Sequence, residues 1–179
     1  AAAAQGGGGG GAGGADPLHK ADFGLSGALA RDARTGNTLR GVELKFTEPE
    51  EARAPTRRWR FYVFKGDDIV DTLHLHRQSA YLIGRDRKVC DVPVDHLSCS
   101  KQHAVLQYRL TGPEDGEKTV KPYLMDLKST NGTFINGERI EDSRYYQLLE
   151  KDCVKFGEST REYIVLNDTS DDAEEDEAS

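Results

Sequence analysis

The run WRFYVFK, Trp59 to Lys65, sets bulky side chains at Trp59, Phe61 and Val63 on one parity and Arg60, Tyr62 and Phe64 on the other. Period-two alternation in a segment rich in aromatic and β-branched residues is the pattern of a strand. Comparable short runs follow near Thr72 to His76, Tyr81 to Ile83, Val92 to Val94, Ala104 to Leu110, Val120 to Leu127, Thr133 to Ile135, Tyr145 to Leu148, Asp152 to Phe156 and Glu162 to Leu166. Turn signals separate them at Gly66-Asp67, Gly112-Pro113, Asp115-Gly116, Asn131-Gly132 and Asn136-Gly137. About ten short strands with no helical pattern predict an all-β fold, a β-sandwich. Function in such a fold sits on the loops at one end.

Outward from this region the texture changes. Residues 1–15 are all Ala and Gly apart from Gln5, and residues 168–179 hold seven acids and no base. Neither can build a core, so disordered tails are predicted over 1–21 and 168–179. The seven acids equal the formal net charge of −7, which leaves the rest of the chain neutral. Acidity therefore says nothing about the domain's partner. Residues 22–56 carry scattered apolar side chains, too few for a core of their own, and read as a partner-docking segment or a linker. No apolar run has the length of a membrane span, and no charged-then-apolar signal opens the chain. Ala1 in place of an initiator Met suggests a fragment. Cys90, Cys99 and Cys153 form no even framework and fit a reducing compartment.

Three predicted loops carry the chemistry: Gly84-Arg85, SCSKQH from Ser98 to His103, and Ser129-Thr130-Asn131-Gly132-Thr133. A phosphate monoester carries about −1.5 to −2 charge and three acceptor oxygens. Arg85 offers a planar fork of donors, Lys101 a point charge, and Ser100 and Thr130 hydroxyls. Asn131 offers an amide for a ligand's backbone. Gly84 and Gly132 supply backbone shapes that a Cβ resists.

Other readings compete. Cys90, His96, Cys99 and His103 spell C-x5-H-x2-C-x3-H, but the paired CxxC of a zinc knuckle is missing and a strand interposes. Ser100 and His103 could form a hydrolase nucleophile and base, yet no G-x-S-x-G elbow surrounds Ser100 and no acid is placed to orient the imidazole. His103 is expected instead to tie one loop to another. The basic cluster Arg57-Arg58-Trp59-Arg60 suits a nucleic-acid backbone with a stacked base, unless Trp59 is core.

In this order and spacing, G-R, S-x-x-H and N-G inside an all-strand region resemble the forkhead-associated (FHA) domain over about residues 57–167. The resemblance implies a sandwich of about eleven strands that binds phosphothreonine through its apical loops, without catalysis, metal or cofactor. It assigns Arg85, Ser100, Lys101 and Thr130 to the phosphate, Asn131 to the peptide backbone, and Gly84, His103 and Gly132 to support. It also implies a small pocket for the threonine methyl. Further wording, His76-Arg77-Gln78-Ser79-Ala80-Tyr81, Phe23-Gly24-Leu25-Ser26-Gly27 and Glu48-Pro49-Glu50-Glu51-Ala52-Arg53, is similar to the Smad nuclear-interacting protein, DAWDLE and pre-mRNA leakage protein family. That likeness implies a nuclear subunit of a spliceosomal retention-and-splicing complex, with small-RNA processing in plant members. It further implies that Leu25, Leu29, Val42, Leu44 and Phe46 dock onto an RNA-recognition-motif subunit. The long basic arm usual in that family is replaced here by Ala and Gly, so direct RNA binding does not carry over.

Overall fold

The computed structural model describes residues 37–168, and every regular element within them is a strand. In chain order these are β1 (Thr38–Leu39), β2 (Val42–Glu43), β3 (Trp59–Lys65), β4 (Asp68–His74), β5 (Ala80–Gly84), β6 (Val92–Pro93), β7 (Ala104–Thr111), β8 (Thr119–Asp126), β9 (Thr133–Ile135), β10 (Glu138–Arg139), β11 (Tyr146–Gln147), β12 (Cys153–Phe156) and β13 (Arg161–Asn167). A six-stranded sheet runs in the order β10-β9-β12-β13-β3-β4, and a five-stranded sheet in the order β11-β8-β7-β5-β6. Together they make the expected eleven-strand sandwich, and β1-β2 is a separate hairpin.

WRFYVFK behaves as its pattern demands. Trp59, Phe61 and Val63 are buried while the alternate positions are not, and β3 pairs with β13 from Trp59↔Asn167 to Lys65↔Arg161. The inner faces of the two sheets meet in one core. Phe61, Val154, Phe156, Tyr163 and Val165 come from the six-stranded sheet, and Tyr81, Ile83, Leu106, Tyr108 and Leu124 from the other. Tyr163 sits edge-on to both Phe61 and Phe156, with ring centroids 5.6 and 5.1 Å apart. Each such side chain contributes about 1.5–3 kcal/mol on burial.

β5 is buried at every position. Tyr81 and Ile83 point into the sandwich, whereas Ala80 and Leu82 join Val89, Val105 and Leu127 in a second cluster on the outer face of the five-stranded sheet. A strand that is apolar on both faces needs a layer on each. The second layer is the segment that the sequence suggested to be a docking arm or linker. Leu44 and Phe46 are only 5% and 6% exposed within the second cluster, and Val42 packs against it. Leu44 and Phe46 are therefore core residues rather than partner anchors, and Val42 is half-buried at the edge of their cluster. Farther along, Leu110 donates its N–H to the Glu51 carbonyl and Arg53 donates to that of Tyr108. Arg109 pairs with Glu51 at 2.6 Å. The folded unit thus includes residues 37–56, ahead of the expected start at 57. Leu25 and Leu29 lie outside the described residues. At the other end, Asp168 belongs to the fold: its N–H reaches the Arg58 carbonyl and its carboxylate pairs with Arg60 at 3.1 Å.

Candidate functional site

Three loops converge at one end of the sandwich, and Gly84 is where they first touch. A Cβ built there would lie 2.1 Å from the Lys101 carbonyl oxygen, so only glycine lets the end of β5 meet the 94–103 loop backbone to backbone. This close approach, rather than a positive φ, is the reason for glycine. Arg85 then donates its N–H to the Ser100 carbonyl at 3.0 Å, and Asp86 donates to that of Lys101 at 3.2 Å. The Arg85 Nε–H turns inward to the Cys99 carbonyl at 2.6 Å. One edge of the guanidinium is thereby fixed, and its terminal amino groups have no partner among the described residues.

His103 is fully buried and joins the second loop to the third. Its Nδ1 accepts the Ser100 N–H at 3.0 Å, and its Nε2 lies 2.8 Å from the Gly132 carbonyl. Since Nδ1 accepts, Nε2 carries the hydrogen and donates it. Burial holds the imidazole below its ordinary pKa, against the opposing pull of the Gly132 hydrogen bond and the Asp126 charge, which favours this neutral tautomer. The ring also stands edge-on to Phe156 at 5.7 Å.

The third loop is held from beneath. The Asp126 carboxylate accepts the Ser129 N–H at 3.0 Å, the Ser129 hydroxyl at 2.6 Å and the Thr133 hydroxyl at 2.6 Å. Ser129 Oγ in turn accepts the Gly132 N–H at 2.9 Å. These bonds stabilise two left-handed residues, Lys128 with φ 58° and Gly132 with φ 88°. At Gly132 a Cβ would also come within 2.5 Å of Arg139 Nε. Across the gap, Thr130 donates its N–H to Ser100 Oγ at 3.2 Å, and Asn131 Nδ2 donates to the Ser98 carbonyl at 2.8 Å. Arg85, Ser100, Lys101, Thr130 and Asn131 all line one open cleft of about 750 Å³.

The fold and these loops have known relatives. The FHA domain profile matches residues 81–157, from the middle of β5 to just past β12 and including all three loops. This region is an FHA domain. Smad nuclear-interacting protein 1 of Mus musculus is 55% identical over 161 residues, which cover 88% of this chain and 41% of that protein. FHA domain-containing protein DDL of Arabidopsis thaliana is 56% identical over 153 residues, covering 83% of this chain and 48% of that protein. The chain thus spans less than half the length of either relative. Among solved structures, the yeast Pml1 splicing factor, described together with its integration into the RES complex, aligns with a TM-score of 0.60 at 27% identity, covering 69% of this chain and 97% of that one.

The competing readings lose their geometry in this FHA domain. Both ring nitrogens of His103 face backbone groups, so none is left to take a proton from the Ser100 hydroxyl. Of the zinc-like set, Cys99 Sγ points at the Phe156 carbonyl and His96 Nδ1 contacts Ser98 Oγ at 2.8 Å. No group of three or more metal-ligating side chains comes together among the described residues. Cys90, its thiol raised by burial to about 12, reaches the Lys101 carbonyl instead. In the basic cluster Trp59 is buried in the core, which removes the stacking platform, and Arg60 lies over Tyr62 and against Asp168. Asp126 is the supporting residue that sequence reading missed. Its signal was an acid three residues before a serine at a strand end, the pattern of a side chain that caps its own turn.

Proposed function

We propose that this FHA domain reads a phosphothreonine peptide and acts as a non-catalytic adaptor within a nuclear pre-mRNA splicing assembly. FHA domains as a class recognise phosphorylated motifs. The observation that carries the reading for this chain is the convergence of Arg85, Ser100, Lys101, Thr130 and Asn131 on one cleft. Arg85, oriented by its bond to Cys99, presents its amino groups to two phosphate oxygens in charge-assisted bonds, and Lys101 adds a mobile positive charge. The Ser100 hydroxyl, which accepts the Thr130 N–H, retains its own hydrogen for the phosphate. Asn131 uses one amide hydrogen on Ser98 and keeps its carbonyl and second hydrogen for the peptide backbone.

The nuclear setting is supported by the mouse relative's name, and the splicing role by the fit to the yeast splicing factor. Within such an assembly an RNA-recognition-motif subunit would engage the segment holding Leu25 and Leu29. A part in small-RNA processing belongs to the same reading through the likeness to the plant member of the family. Affinity capture from nuclear extract, with and without prior phosphatase treatment, tests it. The expected result is a set of splicing proteins captured only from untreated extract, with the RNA-recognition-motif subunit retained in both; capture of every protein surviving both phosphatase and the Arg85→Ala substitution contradicts it.

A further inference from the structure

The cleft holds more positive charge than one phosphate uses. Besides Arg85 and Lys101 it is lined by Lys45 and Lys88, and the one carboxylate among the lining residues is that of Asp86. An Asp86 oxygen is already engaged, accepting the Lys88 N–H at 3.0 Å. A phosphothreonine of charge about −2 offsets Arg85 and Lys101, and Asp86 offsets one further cation, so Lys45 and Lys88 still leave the lining with a net surplus of about one positive charge.

Both lysine side chains are exposed, and what is fixed is the backbone that carries them. Gln102, itself buried, clamps the end of β2 and the segment after it: its Oε1 accepts the Lys45 N–H at 2.8 Å and its Nε2 donates to the Glu43 carbonyl at 3.0 Å. On the other side Arg40, in the β1-β2 turn, donates to the Lys88 carbonyl at 2.5 Å. The turn itself, Arg40 and Gly41 with φ 52° and 81°, closes tightly enough to bring Gly41 and Val42 onto the cleft wall. The hairpin and the loop after β5 are thus fastened to each other and to the phosphate-facing loop.

Resting on the phosphothreonine reading, we infer that Lys45 and Lys88 form a second anion subsite, so that the preferred ligand carries a further negative group beside its phosphothreonine, at the hairpin end of the cleft. The chemistry is shared by an acidic side chain and a second phosphorylated residue.

The test uses the full chain and synthetic peptides with a fixed phosphothreonine in an Ala/Gln background, into which a single Glu or a second phosphothreonine is walked position by position. Affinities are measured by fluorescence anisotropy for the wild type and for the double variant Lys45→Ala, Lys88→Ala. Both substitutions keep the backbone groups that Gln102 and Arg40 hold. The wild type is expected to gain about three- to thirtyfold at one end of the walk, the range that one or two exposed ion pairs span. The gain disappears in the double variant and in about 1 M salt. A larger gain from phosphothreonine than from Glu assigns the source to a second phosphate, and an equal gain assigns it to acidic side chains. Affinity that is flat along the walk, or a gain that survives in the double variant, overturns the inference while leaving phosphothreonine reading intact. Failure of every phosphorylated peptide, including the one with no added negative group, overturns both.

Discussion

Arg85 and His103 sit in neighbouring loops and do opposite work, so their substitutions separate binding from stability. Arg85→Ala removes charge-assisted bonds worth about 1.5–3 kcal/mol each, which weakens phosphopeptide binding by roughly ten- to more than a hundredfold. Its one internal side-chain bond, to Cys99, is a small part of the fold, so the melting temperature is expected to move little. His103→Ala instead strips the Ser100 N–H and the Gly132 carbonyl of their partner and opens a cavity at a fully buried site. A cost of about 3–5 kcal/mol follows, with binding lost as a consequence. Equal melting temperatures of the two variants would contradict this division of roles. The same histidine sets a pH dependence. Its folded pKa lies below the ordinary 6.5, so between those values the unfolded chain binds a proton there that the folded chain does not. Its contribution to stability is complete above about pH 6.5 and is lost as the pH falls through the folded value. Asp91, raised by burial to about 6, acts in the opposite sense over its own window from 3.8 to about 6, gaining stability as pH falls. Comparing wild type with His103→Asn cancels Asp91: the stability gap between them is expected to narrow from pH 7.5 to 5.5, and a gap that stays constant would remove the buried neutral imidazole from the account.

At the scale of the element, β3 was legible because only one of its parities is fully buried, whereas β5 carried a message that its length concealed. Ala80-Tyr81-Leu82-Ile83 is apolar at both parities, which calls for a cover on each face. Nothing in the spacing said which segment supplied the second cover. Leu44 and Phe46 sit among charged and polar neighbours, and the β1-β2 turn is Arg40-Gly41 rather than Asn-Gly or Asp-Gly, so the hairpin had no turn signature. β10 was missed although its Asn136-Gly137 turn was read, because Glu138 and Arg139 are exposed and carry no apolar signal. The correction changes what truncation does. A chain beginning at Arg57 lacks the layer over Ala80, Leu82 and Val105 and is expected to lose stability, and Leu44→Ala alone to cost about 2–5 kcal/mol by chemical denaturation. A Leu44→Ala variant as stable as wild type would return this segment to the status of a linker. Gly84→Ala is the complementary case: the methyl meets the Lys101 backbone, so the 94–103 loop must shift, and phosphopeptide affinity is expected to fall together with stability.

Across the whole molecule, a two-sheet core presents three loops that hydrogen-bond to one another. Gly84, His103 and Asp126 bring those loops together, and the site residues named from the sequence, Arg85, Ser100, Lys101, Thr130 and Asn131, line a single cleft. Their types and order were readable because the phosphate chemistry proposed for them demands particular donors and positive charge. The supporting residues were only partly readable: Asp126 carries the local signal of an acid three residues before a serine, whereas Gln102 holds backbone groups of residues 43 and 45, far away in sequence, which leaves no spacing rule. The acidic end of the chain accounts for the net charge of −7, so the positive cleft is a local feature that the overall charge conceals. The measurement that bears most directly on this account is the affinity of the full chain for peptides from a phosphothreonine-oriented library, each compared with its unphosphorylated form and with the Arg85→Ala variant. Binding that requires the phosphate and falls at least tenfold on loss of Arg85 is the predicted result; equal affinity for the two peptide forms would contradict it.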